Sequence, residues 1–157
     1  MTTILFPTRG GEASYANQDR VIELAREQEA RLIFMYVTDV RYLMLMVRAS
    51  VVDLEEEISE MGEFLLAMAQ ERAAAQGVEA DIVVKRGVFR KALKEVIEVE
   101  SVDVLVLGAP NAGTGVTTPD YRKNVIRDLI GETGVRVLVM DDGEIVAEWH
   151  RESLPKA

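Results

Sequence analysis

A glycine-rich loop behind an apolar segment is the feature of this sequence best suited to holding a ligand. Residues 102–108 are apolar apart from Asp103. The loop that begins at the end of this segment is Gly108-Ala109-Pro110-Asn111-Ala112-Gly113-Thr114-Gly115. Glycines let the backbone approach a phosphate closely, and the start of a following helix offers N–H groups to it. Ordinary loops have the same composition, so a purely structural interpretation stays open.

A second loop of this kind, Thr8-Arg9-Gly10-Gly11, follows the first apolar segment, Thr3–Pro7. In open parallel sheets, ligands bind beyond the carboxyl ends of the strands, where the strand order reverses. We therefore expect the two loops to lie at the ligand-binding edge. Neither loop has the spacing of a phosphate-binding P-loop or of the dinucleotide-binding glycine fingerprint.

The sequence lacks the residues that most catalytic mechanisms require. The chain has no cysteine, which excludes disulfides, thiolate metal sites and a cysteine nucleophile. The only histidine, His150, lies far along the chain from every loop serine, so no Ser-His-Asp set is predicted. One imidazole beside Glu148 and Glu152 is a weak metal pattern. We predict no catalytic residue and no metal site, and we favour a binding domain over an enzyme.

The composition indicates one globular domain with an acidic surface. The chain has 157 residues, of which 48% are hydrophobic and 29% charged, with a net charge of −9. That charge opposes binding to nucleic acid, although backbone N–H groups can still hold a small anion. The N-terminus lacks the features of a signal peptide, and no apolar run approaches the roughly 20 residues that span a membrane. We expect a cytoplasmic protein without nucleic-acid or membrane partners.

Strand and helix patterns alternate along the chain. Apolar segments bounded by turn residues predict parallel strands, joined through helices, over residues 3–7, 31–37, 79–85, 102–108 and 135–140. Asp142-Gly143 is the signal of a type I′ turn, which makes residues 144–149 an antiparallel sixth strand. The predicted fold is an open, mostly parallel α/β sheet of five strands with helices on both faces, plus this C-terminal antiparallel strand. It forms one domain over 1–150, followed by a tail over 151–157.

The clearest helix lies in the middle of the chain. Its apolar stripe steps by four and three residues, at Leu54, Ile58, Met61, Leu65 and Met68. Asp53 is the predicted N-cap of this helix, and Gly77 is its predicted stop. The Met-rich stretch 42–47 before the helix either packs over the sheet or forms a surface for a partner.

Three stretches of the chain resemble the universal stress protein family (UspA-like). Residues 4–14 look like the family's first strand and turn, residues 87–108 like its third helix and fourth strand, and residues 135–140 like its fifth strand. The resemblance implies a doubly wound, adenine nucleotide alpha hydrolase-like fold, a role in the stress response and an unknown protein partner. It also implies a homodimer through the fifth-strand region, where the sixth strand either covers the edge or supplies the interface.

The resemblance further implies where a nucleotide would bind. Members that bind ATP carry Gly, two residues, Gly, nine residues, and then Gly with Ser or Thr after the fourth strand. Gly108 matches the first glycine, and Gly113 matches the second if two residues are inserted. Lys123-Asn124 stands where Gly-Ser is expected. Asn124 could instead serve as a helix N-cap.

The first turn departs from the family pattern as well, because Arg9 stands where nucleotide-binding members usually have an acidic residue. The candidate nucleotide-binding residues are Thr8, Arg9, Val37, Gly108, Gly113, Lys123, Asn124 and Val125. The two lost positions favour a regulatory domain whose degenerate loop binds ATP weakly or not at all. The alternative is a domain that binds ATP or AMP through the loop from Gly108 to Val125, with slow ATPase activity.

Overall fold

One sheet of six strands, in the order β3-β2-β1-β4-β5-β6, organises the part of the chain that the structure describes. The computed structural model describes residues 1–10, 12–38, 51–109 and 119–156. The strands are β1 (Thr3–Pro7), β2 (Arg31–Thr38), β3 (Ala80–Arg86), β4 (Val104–Gly108), β5 (Arg136–Asp141) and β6 (Glu144–Trp149). The helices are α1 (Tyr15–Gln28), α2 (Val51–Ala75), α3 (Phe89–Val99) and α4 (Pro119–Thr133). Strands β1 to β5 are parallel and β6 is antiparallel, as predicted.

The strand order reverses beside β1. Strands β2 and β3 extend the sheet on one side of β1, whereas β4, β5 and β6 extend it on the other. Strands β1 and β4 pair directly, with Ile4 opposite Val104 and Leu5 opposite Leu105. The chain segments that leave the carboxyl ends of β1 and β4 therefore flank the position where sheets of this kind bind their ligands.

Two helical layers cover the sheet. Helices α1 and α2 pack on one face, where the rings of Phe6 and Phe34 meet edge to face with centroids 6.2 Å apart. Helices α3 and α4 pack on the other face, around Leu5, Leu105 and Leu107. Residues 104–107 of β4 are all buried, because a central parallel strand is covered on both faces.

The most buried side of helix α2 lies beside its predicted apolar stripe, of which Ile58 and Leu65 are half-buried. The residues that it buries are Ser59, Gly62, Leu66, Ala69 and Ala73. Met61 and Met68 of the predicted stripe are 53% and 36% exposed, and Phe64 between them is 66% exposed. Small residues on the inner side let the helix approach the sheet: a Cβ on Gly62 would lie 2.4 Å from the ring of Tyr36.

Of the two predictions for the ends of α2, the one for its start is wrong and the one for its end is confirmed. The chain is already helical at Val51, so the prediction of Asp53 as the N-cap is wrong. Gly77 does end the helix: its φ is +78°, and its N–H donates to the carbonyl of Ala74 at 3.0 Å. Val78 N–H donates to the carbonyl of Ala73 at 2.9 Å, which completes a Schellman motif. The Met-rich stretch 42–47 lies outside the described residues.

The C-terminal hairpin follows the sequence signal closely. Asp142 and Gly143 have φ values of +48° and +82°, as a type I′ turn requires, so this prediction is confirmed. After β6, Ser153 N–H donates to the carbonyl of His150 at 2.9 Å, and Pro155 is buried. Across the described ranges, no helix combines the length and the apolar character needed to cross a membrane.

Candidate functional site

The turn after β1 is held tightly at the carboxyl edge of the sheet. Thr8 is buried; its N–H donates to the carbonyl of Met35 at 2.8 Å, and its Oγ1 accepts the N–H of Gly10 at 3.1 Å. Gly10 has a φ of +72°, and a Cβ there would lie 2.6 Å from the Cβ of Leu65. Arg9, between Thr8 and Gly10, is exposed. Thr8 therefore has a structural role in this turn, whereas the side chain of Arg9 faces solvent.

The end of β4 lies against α1 and the β5–β6 hairpin. Ala109 N–H donates to the carbonyl of Met140 at 2.6 Å, which extends the ladder past Gly108. The side-chain amide of Asn17 lies beside Gly108, 3.4 Å from where a Cβ of that glycine would stand. The Oδ1 of Asn17 also accepts the N–H of Gly143 at 2.8 Å. Asn17 thus joins three segments around the candidate site.

Arg122 carries a partly buried positive charge at this edge. It lies in the first turn of α4, and its guanidinium donates from Nη1 to the carbonyl of Gly108. Its Nε is buried and has no hydrogen-bond partner among the described residues. Burial lowers the pKa of the Arg122 guanidinium below its usual value.

No carboxylate in the described ranges forms an ion pair with Arg122. The sequence from 109 to 118, between β4 and α4, contains no acidic residue either. A partly buried cation that has no counter-charge among the described residues is costly, and such residues concentrate at functional sites. The loop pattern does not indicate Arg122, because that pattern consists of glycine positions. The sequence feature that could have indicated Arg122 is its position as a basic residue directly before Lys123.

Lys123 and Asn124 lie inside a helix. Helix α4 begins at Pro119, so Asn124 is not an N-cap, and that interpretation is wrong. Each N–H in an α-helix donates to the carbonyl four residues earlier, so the amides of residues 123 and 124 are directed to the carbonyls of residues 119 and 120. Both side chains are exposed, whereas Val125 is buried in the core between α4 and the sheet.

The remaining candidates are spread out. Val37 is half-buried near the end of β2 and packs against the core beneath α3 and α4. Its neighbour Thr38 is buried on the α2 side, where its Oγ1 lies 3.1 Å from the Oγ of Ser59. Gly113 lies outside the described residues. The structure therefore brings Thr8, Gly108 and Arg122 to the carboxyl edge of the sheet, while the backbone amides of Lys123 and Asn124 are directed into α4.

Comparison with known proteins identifies the family. The universal stress protein family model matches residues 1–139. The chain belongs to the universal stress protein family. A search of curated proteins by sequence found no match.

Solved structures of the family share the fold. A universal stress protein family member from Burkholderia pseudomallei is 22% identical with a TM-score of 0.65, over 88% of this chain and 95% of that one. UspA from Lactobacillus plantarum is 18% identical with a TM-score of 0.68, over 88% and 97%. A universal stress protein in complex with cAMP is 20% identical with a TM-score of 0.60, over 90% and 97%. At these identities the likeness demonstrates the α/β fold.

Proposed function

We propose that this universal stress protein is a regulatory domain of the stress response that binds ATP weakly or not at all. The observation that carries the proposal is the start of α4 at Pro119, before Lys123 and Asn124. A cradle for the phosphates of ATP at these two positions needs backbone N–H groups that point outward. Here those groups are directed along the helix.

Thermal unfolding with magnesium and ATP tests this proposal. A ligand at ten times its Kd raises the free energy of unfolding by about 1.4 kcal/mol, which corresponds to about 3–6 °C for a domain of this size. We expect no resolvable change in Tm at millimolar ATP. A shift of several degrees at that concentration would contradict the proposal.

A variant that is expected to gain ATP binding tests the same proposal from the opposite direction. Lys123→Gly with Asn124→Ser restores the residues that the family pattern expects, and Arg9→Asp restores the acidic position in the first turn. Glycine at 123 also weakens the start of α4, which frees amides for a phosphate. We expect the triple variant to gain a shift with ATP that the wild type lacks. Arg127→Gly with Asp128→Ser, further along α4, controls for general weakening of the helix.

Arg122 favours a second candidate function, the binding of an adenine mononucleotide. A single phosphate beside the partly buried guanidinium would supply a counter-charge that the described residues do not provide, and phosphate pairs well with an arginine fork. The related structure that contains cAMP gives the probe to try first. This mode does not need the amides of Lys123 and Asn124, so it does not conflict with weak binding of ATP.

Titration with cAMP and AMP, followed by thermal unfolding and calorimetry, tests the second candidate. We expect binding by the wild type and at least a tenfold loss of affinity in Arg122→Met. Arg127→Met, on the same helix and half-buried, is the control and is expected to keep wild-type affinity. Equal affinities in Arg122→Met and in the wild type would rule out this role of the arginine.

We also propose that the domain forms a homodimer through β6. Strand β5 lies between β4 and β6 and has no open edge, so the open edge on this side of the sheet belongs to β6. Ile145 and Val146 point to opposite faces of that strand, yet they are 41% and 57% exposed. An uncovered edge strand with apolar residues on both faces favours pairing with a second copy.

Light scattering coupled to size-exclusion chromatography measures the assembly. We expect a dimer for the wild type and a monomer for Val146→Lys, because a charged residue on an edge strand opposes pairing. Val99→Lys on α3, where the valine is 72% exposed, introduces the same charge away from β6 and is expected to leave the dimer intact. A wild type that is monomeric at high concentration would rule out the homodimer.

A further inference from the structure

Helix α2 has a second apolar stripe that the described part of the chain leaves exposed. Met61, Phe64 and Met68, which we call the outer stripe, are exposed on the side away from the sheet. Their spacing of three and four residues is that of the contact positions of paired helices, and it spans about 10 Å along the axis. The inner side of α2 is already buried against the sheet, so the outer stripe adds nothing to the domain core.

Glutamates lie around the outer stripe, and the nearby Arg72 is already paired with Asp19. Glu57 and Glu71 continue the same line of positions at its two ends, and Glu60 lies alongside it. All three glutamates are exposed. None of them takes part in an ion pair within the part of the chain that the structure describes. An apolar centre with an acidic rim therefore defines the chemistry of what can cover it.

We propose that the outer stripe is a docking surface for a basic amphipathic helix of a partner protein. Apolar side chains of that helix would contact Phe64 and the two methionines, and its Lys or Arg side chains would meet the glutamates of the rim. Methionine suits such a surface because its flexible, polarisable side chain adapts to different contacts. An exposed aromatic residue between two methionines supplies the kind of anchor that dominates binding energy.

Charge argues against two other occupants of this surface. A second copy packed antiparallel on the same stripe would bring the acidic rim against itself, and each chain carries a net charge of −9. An anionic membrane surface is repelled for the same reason. The basic helix is the occupant whose charge complements both the rim and the whole domain.

A labelled model peptide tests the proposal. The probe is a fluorescent helix of about five turns with leucines at the contact positions and lysines elsewhere, and its binding is followed by anisotropy at physiological salt. A scrambled peptide of the same composition measures attraction to the overall negative charge. We expect the amphipathic peptide to bind at least tenfold more tightly than the scrambled one. Equal binding of the two peptides would overturn the proposal.

Charge-neutral variants separate the outer stripe from the net charge. Phe64→Ser with Met68→Ser is expected to weaken peptide binding at least tenfold, whereas Val99→Ser, an equally exposed apolar position, is expected to have no effect. Thermal unfolding verifies that the double variant is folded, and Met61→Gln alone provides a second variant at the same surface. Unchanged affinity in both stripe variants would overturn the proposal.

Two further measurements address the rim and the competing occupant. Glu57→Gln with Glu71→Gln is expected to weaken binding about fivefold more than Glu27→Gln with Glu79→Gln, which changes the net charge equally at other exposed positions. Equal effects would show that the rim is irrelevant and overturn the proposed chemistry.

Light scattering of the stripe variant tests for self-association. If a wild-type dimer became a monomer on Phe64→Ser with Met68→Ser, the occupant would be a second copy and the proposal would be overturned.

Discussion

Arg31 and Arg122 lie at opposite ends of the sheet in opposite surroundings. Arg31 begins β2 and pairs with Glu100 at 2.8 Å and Asp81 at 2.9 Å, which raises the pKa of its guanidinium. Arg122 lies at the carboxyl end of β4, and burial lowers the pKa of its guanidinium. Arg31 has two carboxylate partners in contact with water. Arg122 is more shielded from water and has one backbone acceptor among the described residues.

Arg31 stabilises the fold, whereas the fold accommodates Arg122 at a cost in stability. Exposed ion pairs such as those of Arg31 contribute modestly and tie neighbouring segments together. A partly desolvated cation with no carboxylate partner in the described part of the chain costs stability, and a site that receives an anion gives a reason for its presence. The ion pairs of Arg31 thus stabilise the amino edge of the sheet, whereas the charge of Arg122 does not stabilise the carboxyl edge.

The largest expected effect on stability comes from replacing one glycine at each edge of the sheet. Gly10→Ala at the carboxyl edge is expected to cost about 3 kcal/mol, since it adds a clash with Leu65 to the strain of a positive φ. Gly134→Ala at the amino edge is expected to cost about 1–2 kcal/mol, because its Cβ meets only the flexible side chain of Arg151, at 3.1 Å. Urea unfolding measures both values. Equal costs would mean that the packing after β1 is not unusually tight.

The second test exchanges the two arginines for a side chain of similar length. Arg122→Met is expected to raise the free energy of unfolding by about 1 kcal/mol, because it removes a partly buried charge that has no carboxylate partner among the described residues. Arg31→Met is expected to lower that free energy by about 0.5–1 kcal/mol through the loss of two partly exposed ion pairs. Denaturant unfolding gives the signs. A loss of stability in Arg122→Met would show that its bond to Gly108 outweighs the cost of burial.

The smallest effect is the response to salt. Raising the ionic strength to about 0.5 M screens the partly exposed pairs of Arg31, so the difference between the wild type and Arg31→Met should shrink by a few tenths of a kcal/mol. The difference for Arg122→Met should change less, because buried charges are poorly screened. Paired unfolding curves at low and high salt measure both differences. A larger salt response at Arg122 would reverse the assignment of the two environments.

Local patterns were enough to predict the architecture. Strands β1 and β6 have the predicted bounds, and the Asp142-Gly143 turn adopts the predicted type. These features depend on interactions between neighbours in the chain: alternating burial, φ values that favour glycine, and short apolar runs between breakers. The family, too, follows from the order and spacing of such segments, and the match over residues 1–139 confirms it.

The site was less predictable because its properties depend on where a helix begins and what surrounds it. The glycine spacing drew attention to Lys123-Asn124, yet α4 starts at Pro119 and directs those amides along its axis. Nothing in the local pattern distinguishes Arg122 from an exposed arginine. Its burial results from the packing of α4 beside the end of β4, which is a contact between residues 14 positions apart.

The sequence by itself determined the alternation of strands and helices, the antiparallel hairpin and the acidic surface, because short-range patterns and composition encode each of them. Only the tertiary structure decided which side of α2 meets the sheet. Apolar periodicity favoured the stripe with Met61 and Met68, but the side with Gly62 can approach the ring of Tyr36 more closely. Close packing rewards complementary shape as well as apolar character, and shape exists only when both partners are in place.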